Sequence, residues 1–179
     1  VLIDEADNII INNYAIIEYI EEKYSHTTNV ASLISGNLSS KAEIRRLVDW
    51  YDNKFYNEVS KIILRELIDK YYMKNRIDDK SPNMELLRIA HENSIYHLEY
   101  LSHLISSRSW IAGEVISQAD IAAASHISCL DYLNKIDWDK WLEIKNWYAR
   151  IKSRPSFSPI LEDRIAGFQP PSHYSNPDF

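Results

Sequence analysis

The chain has 179 residues, of which 45% are hydrophobic, and a formal net charge of −6. This length and apolar content are sufficient to bury a substantial core, whereas the negative charge argues against a general binder of nucleic acid or of anionic membranes, because such proteins present a basic face. The single cysteine excludes an internal disulfide bond and suits a reducing cytoplasm, and no apolar run in the sequence is long enough to cross a bilayer.

Residues 1–24 predict a β-hairpin followed by a helix. Two short β-branched runs between Leu2 and Ile11 are separated by a polar turn, which is the pattern of a hairpin. Asn12 is a favourable N-cap for a helix that runs to about Tyr24. A hairpin and one helix do not form a sheet domain on their own.

Two long amphipathic helices are predicted next, after a linker at residues 25–40 that is polar and rich in small side chains. The first helix begins at Lys41, and the polar, proline-containing segment 78–82 interrupts its pattern. Within the second helix, His97 and His103 are predicted to be exposed. Apolar residues at helical spacing define the first helix (Ile44, Leu47, Val48, Tyr51, Phe55, Val59 and Ile62) and the second (Leu87, Ile95, Leu98, Leu101 and Ile105).

A capping box predicts the start of a central helix. Ser117 and Asp120 stand three residues apart where an irregular stretch becomes an Ala-rich apolar helix that runs to Leu133. The carboxylate is expected to be ionised and fully hydrogen-bonded, because an unpaired buried charge is very costly. These residues therefore have a structural role, within an all-helical domain predicted at 41–163. A tail rich in proline and aromatic residues follows at 164–179.

This capped segment resembles the C-terminal helical domain of the glutathione S-transferase family, in which such a box follows a Trp/Phe-x-x-Gly turn, here residues 110–113. Residues 147–157 resemble the family's penultimate helix with its Arg-Pro stop, and residues 1–20 resemble the last two strands and last helix of its thioredoxin-like domain. The resemblance implies a mainly α fold, in which the helical bundle is preceded by a fragment, β-hairpin plus helix, of a thioredoxin-like α/β domain. It also implies a homodimer, and a catalytic Ser, Tyr or Cys in an N-terminal segment absent from this sequence.

The resemblance also implies where glutathione would bind. Asn12 and Asn13 occupy the positions of a Glu/Gln-Ser pair that holds the γ-glutamyl group, so the site has lost its small hydroxyl and its carboxylate; alternatively, the two residues serve only as helix caps. Tyr51, Asp52 and Lys54 fall where the family lines its second-substrate pocket, but they equally fit a core and a solvated face. We predict no catalytic residue and no metal site in this chain.

A narrower resemblance concerns segments 41–55, 128–133 and 170–179. They are similar to an alphaproteobacterial branch of transferase-like proteins, which includes a cell-division factor that binds the tubulin-like filament protein FtsZ without using glutathione. This implies that the aromatic tail residues Phe168, Tyr174 and Phe179 contact a partner, although packing against their own domain is the default expectation.

Two functions therefore remain open at the level of the sequence. The first is a cytoplasmic FtsZ-binding protein with an eroded glutathione site. The second is an active transferase that conjugates glutathione to a small electrophile, with its catalytic residue in the missing segment. A transferase fold alone does not establish transferase chemistry.

Overall fold

The computed structural model describes residues 1–25, 31–73 and 81–176. Strands β1 (Leu2–Ile3) and β2 (Ile9–Ile10) pair antiparallel, with Leu2 opposite Ile10 and Ile3 opposite Ile9. The connecting turn is closed by the Asp4 carboxylate, which accepts hydrogen bonds from the backbone N–H groups of Ala6 and Asn8 at 2.9 Å each. The predicted hairpin is confirmed.

Helix α1 (Asn13–Ser25) follows the hairpin. Asn12 has a left-handed backbone with φ of 84°, which asparagine tolerates better than most residues. Its side-chain oxygen accepts a hydrogen bond from the backbone N–H of Tyr14 at 2.9 Å. The helix is attached to the helical domain by two hydrogen bonds of 3.0 Å from Arg45 to the Glu18 carboxylate, which lower the pKa of Glu18.

The next element is a continuous helical path that we call the long helix. It begins at Leu38, three residues before the predicted Lys41, because the Asn37 side chain caps it by accepting from the Ser40 N–H at 2.9 Å. It comprises α2 (Leu38–Asp49), a π-helical segment (Trp50–Ser60), α3 (Lys61–Leu64), a second π-helical segment (Arg65–Asp69) and α4 (Lys70–Tyr72). The predicted apolar face is buried, apart from the half-buried Ile62 (Ile44, Leu47, Val48, Tyr51, Phe55 and Val59).

Helix α5 (Met84–Ser106) packs against the long helix. The buried pair Glu66 and Lys70 joins the two, because the Glu66 carboxylate accepts from the Asn83 N–H at 2.7 Å and Lys70 Nζ lies 2.7 Å from the same carboxylate. Of the predicted helix break at 78–82, residues 78–80 lie outside the described residues.

Two predictions on α5 are wrong. His97, expected to be exposed, is 1% exposed, whereas Ile95, expected on the apolar face, is 38% exposed. The reason is that His97 faces the long helix, where it packs against the rings of Trp50 and Phe55 and both of its ring nitrogens have hydrogen-bond partners.

Helix α6 (Gln118–Tyr132) lies at the centre of the bundle, in contact with the long helix and with α7 (Leu142–Lys152). Its alanines allow this close packing, and a short helix α8 (Ser158–Glu162) follows. The mainly α fold predicted from the sequence is confirmed. In the part of the chain that the structure describes, no helix has the length and apolar character needed to span a membrane. The fully buried apolar residues of α6 are Ala119, Ala123, Ala124, Ile127 and Leu130.

Candidate functional site

The buried Asp120 carboxylate organises the start of α6. One of its oxygens accepts from the N–H and the hydroxyl of Ser117, both at 2.9 Å, within a formed capping box. The other oxygen accepts from the backbone N–H of Ile111 at 3.0 Å and from the indole N–H of Trp147 at 2.9 Å. The three-residue spacing in the sequence identified Ser117 as a partner of Asp120. It gave no indication of the other two partners, Ile111, which lies in a loop, and Trp147, which lies on α7. This network is structural, because all four residues are buried.

A cleft of about 540 Å³ lies between the start of α1, the long helix and α6. It brings Asn12 and Asn13 together with Asp52. Its other lining residues are Tyr14, Arg45, Val48, Asp49, Asn53, Tyr56 and His126. Carboxamides therefore face carboxylates across an open cleft, an arrangement suited to a small polar ligand.

His126 is the cleft residue that sequence reasoning missed. Its Nε2 lies 3.6 Å from the Asp52 carboxylate, and its Nδ1 lies 2.9 Å from the Ser60 hydroxyl. Ser60 is 1% exposed, so its hydroxyl orients the imidazole ring rather than facing the cleft. The cleft thus presents an imidazole beside a carboxylate, but their residues are 74 positions apart in sequence, and no motif links them.

The other two predicted pocket residues are not part of this cleft. Tyr51 is 1% exposed, and burial raises the pKa of its phenol above the ordinary value. Lys54 forms an ion pair with Glu58 and lies over the ring of Trp50, where the long helix faces α5. Of the predicted second-substrate residues, only Asp52 lines the cleft.

The tail packs against the helical domain at two places, first around Phe168 and then around Tyr174. The Tyr132 hydroxyl donates to the carbonyl of Phe168 at 2.8 Å and accepts from the N–H of Ile165 at 2.8 Å. Between them, Gly167 has a φ of 83° and lies against Tyr71. Phe168 is half-buried, with its ring centroid 4.9 Å from that of Tyr71.

Tyr174 anchors the second half of the tail. It is 3% exposed, its hydroxyl lies 3.0 Å from the Ser128 hydroxyl, and its ring packs at right angles on Tyr132 with centroids 5.0 Å apart. Burial raises the pKa of the Tyr174 phenol. Phe179, the third predicted tail residue, lies outside the described residues.

A buried charge cluster holds the tail at His173. Asp131, on α6, is fully buried and accepts from the indole N–H of Trp138 at 2.8 Å, with His173 Nε2 at 2.9 Å. Lys152 Nζ lies 3.7 Å from the same carboxylate and donates to the His173 carbonyl at 3.0 Å. Burial lowers the pKa of Lys152 to about 8, against the opposing attraction of Asp131. The sequence gives no sign of this cluster, because Asp131, Lys152 and His173 are far apart in the chain. In addition, a lysine in the last turn of a helix is already explained by its favourable interaction with the helix dipole.

The single cysteine does not supply a nucleophile to either region. Cys129 is half-buried on α6, and burial raises the pKa of its thiol. A thiol with a raised pKa is largely protonated at neutral pH and therefore a poor nucleophile.

Comparison with known proteins relates this architecture to a family. No family model matches the chain. FtsZ-localized protein A of Caulobacter vibrioides (strain NA1000 / CB15N) is 39% identical over 171 residues, which cover 96% of this chain and 72% of that protein.

Two solved structures extend the comparison to three dimensions. A protein described as a glutathione S-transferase from Rhodospirillum rubrum F11 is 39% identical, with a TM-score of 0.87 over 99% of this chain and 76% of that one. FzlA from C. crescentus is also 39% identical, with a TM-score of 0.84 over 93% of this chain and 70% of that one. The hairpin, the capped central helix and these matches lead to one conclusion: the chain belongs to the glutathione S-transferase family, in the branch that includes FtsZ-localized protein A.

Proposed function

We propose that this protein is a cytoplasmic cell-division protein that binds FtsZ and does not depend on glutathione chemistry. The observation that carries the proposal is the 39% identity to FtsZ-localized protein A over 96% of the chain. The aligned region covers almost the whole chain and is not confined to one segment of it. A homodimer, as the resemblance implies, is part of the proposal.

The binding surface in this proposal is an aromatic patch beside the tail, defined as Tyr71, Tyr72, Met73 and Phe168. Tyr71, Tyr72 and Met73 are 42%, 50% and 45% exposed, and Phe168 packs against the two tyrosine rings at its edge. Aromatic and methionine side chains are enriched in protein interfaces, and tyrosine in particular buries a large area at a small entropic cost. The buried anchor Tyr174 keeps the tail in place, so that Phe168 completes the patch.

The cleft supports the loss of glutathione dependence. Asn12 uses its side chain to cap α1 by accepting from the Tyr14 N–H, and Arg45 is held by Glu18. The carboxamides of Asn12 and Asn13 replace the hydroxyl and carboxylate that the family uses for the γ-glutamyl group. The observation on the side of the second candidate function, conjugation of glutathione to an electrophile, is a solved structure of 39% identity that is described as a glutathione S-transferase.

The patch can be tested by co-sedimentation with polymerised FtsZ. We expect the wild-type protein to pellet with the polymer, and Phe168→Ala to weaken binding by about fivefold or more, because an aromatic side chain that acts as an interface hot spot typically contributes over 1 kcal/mol. Tyr96→Ala is the matched control, since Tyr96 is 55% exposed on α5, and this variant should pellet like the wild type.

Thermal unfolding of each variant separates loss of the patch from loss of the fold. A wild-type protein that stays in the supernatant at every FtsZ concentration would refute the FtsZ proposal. Pelleting that is equal for Phe168→Ala and the wild type would instead exclude the aromatic patch as the binding surface.

A further inference from the structure

A buried histidine connects the long helix to α5 on the side away from the cleft. His97, on α5, is 1% exposed and lies between the rings of Trp50 and Phe55, with centroid distances of 5.6 and 5.0 Å. The indole N–H of Trp50 donates to His97 Nδ1 at 3.1 Å, and His97 Nε2 lies 2.9 Å from a Glu58 carboxylate oxygen. Both ring nitrogens therefore face partners on the long helix.

These partners fix the protonation state of the ring. An indole nitrogen only donates hydrogen bonds, so Nδ1 must be the unprotonated acceptor and Nε2 must carry the proton that is donated to Glu58. His97 is thus a neutral imidazole in a single tautomer. A second proton from solvent has only Nδ1 to bind, and an N–H at that position would point at the N–H of Trp50.

We propose that His97 is a proton-operated latch between the long helix and α5. When Nδ1 is protonated, the Trp50 indole loses its acceptor and must move away, while the new imidazolium N–H has no acceptor in its present orientation. The contact between the two helices loosens at Trp50, and it closes again when the proton leaves. This inference is independent of FtsZ binding and of the aromatic patch beside the tail.

Charged and titratable groups surround the latch on three elements. On the long helix, Glu58 favours a proton on the ring, and Lys54, which is paired with Glu58, opposes it. On α5, the neighbouring rings are Tyr96, 5.5 Å from His97, and Tyr100, which packs on Trp50. On α6, His126 lies on the other side of Phe55.

Burial is the largest influence, and it lowers the pKa of His97 below 6.5. The unfolded chain therefore binds this proton at a higher pH than the folded protein does. Stability must fall as the pH decreases from about 6.5 through the folded pKa, and it is fully retained above that range. The latch is thus closed at neutral pH and opens as the pH falls through the lowered pKa of His97.

The test is nitrogen-15 NMR of the imidazole and indole groups of the complete protein between about pH 8 and about pH 5. At the upper end we expect His97 to carry its proton on Nε2 alone. As His97 titrates, the indole N–H resonance of Trp50 should shift; a Trp50→Phe variant assigns this resonance. The exchange of this N–H with solvent should also become faster by roughly tenfold or more, after correction for the intrinsic effect of pH on exchange.

Two variants complete the experiment. His97→Asn keeps a carbonyl acceptor near the Trp50 N–H but does not titrate, so the pH response of Trp50 should disappear. His103→Asn, at an exposed histidine on the same helix, should leave the response intact. A proton on Nδ1 of the wild-type protein at neutral pH, or a Trp50 signal that stays unchanged while His97 titrates, would overturn the proposal. Both outcomes are measured on the wild-type protein, and the Trp50→Phe variant serves only to assign the indole signal.

Discussion

Replacement of Asp120 by alanine is expected to lower the free energy of unfolding by about 3–5 kcal/mol, because it leaves several buried donors without an acceptor, at a cost of about 1–3 kcal/mol each. The carboxylate accepts four hydrogen bonds, from Ser117, Ile111 and Trp147, and all of these residues are buried. Without the carboxylate, the N–H groups of Ile111 and Trp147 stay buried with no acceptor, and α6 loses its capping box. Equilibrium unfolding in urea measures the change.

The matched controls for this substitution separate charge from shape. Asp120→Asn keeps the size of the side chain but loses the charge and part of its capacity to accept, so its cost should lie between the wild type and Asp120→Ala. Asp137→Ala, at an exposed aspartate, should change stability by less than about 0.5 kcal/mol. An unfolding curve for Asp120→Ala that overlays the wild type would contradict the central position of α6.

Replacement of Asp131 by alanine should cost a similar amount, about 3–5 kcal/mol, for a different reason. It removes the negative partner of Lys152, whose side chain is fully buried, and the acceptor of the Trp138 indole N–H. His173 also loses its ring partner, so the tail should detach more often. Unfolding in urea reports the stability, and the rate of tryptic cleavage after the exposed Arg164 reports the release of the tail.

Asp139→Ala provides the control for tail release, because Asp139 and His173 line one surface cavity, but Asp139 is exposed. This variant should be cleaved at the wild-type rate. If Asp131→Ala were no more susceptible to cleavage than Asp139→Ala, the buried charge cluster could not be what holds the tail.

Elements defined by local rules were predictable from the sequence. The hairpin follows from two β-branched runs around a polar turn, and the central helix from a cap and box three residues apart. The sequence predicted that the long helix begins at Lys41, because the apolar periodicity begins there. The helix in fact begins at Leu38, because Asn37 caps a first turn that contributes little to the core and therefore has no apolar pattern. Its π-helical segments have no comparable sequence signature.

Interactions that depend on packing between distant elements were not predictable. His97 is polar and was expected in solvent, yet partners on the long helix, the rings of Trp50 and Phe55 and the Glu58 carboxylate, make its burial possible. The contacts of Asp131 with Lys152 and His173 join α6, α7 and the tail, and those of His126 with Asp52 and Ser60 join α6 to the long helix. No spacing rule connects residues so far apart in the chain.

The most direct test of the central claim, that this family member acts by binding FtsZ rather than by using glutathione, is co-sedimentation of the complete protein with FtsZ polymer with and without excess glutathione. We expect saturable pelleting that glutathione leaves unchanged, and no conjugation of glutathione to an added electrophile. Absence from the pellet, together with steady turnover of glutathione, would contradict this claim.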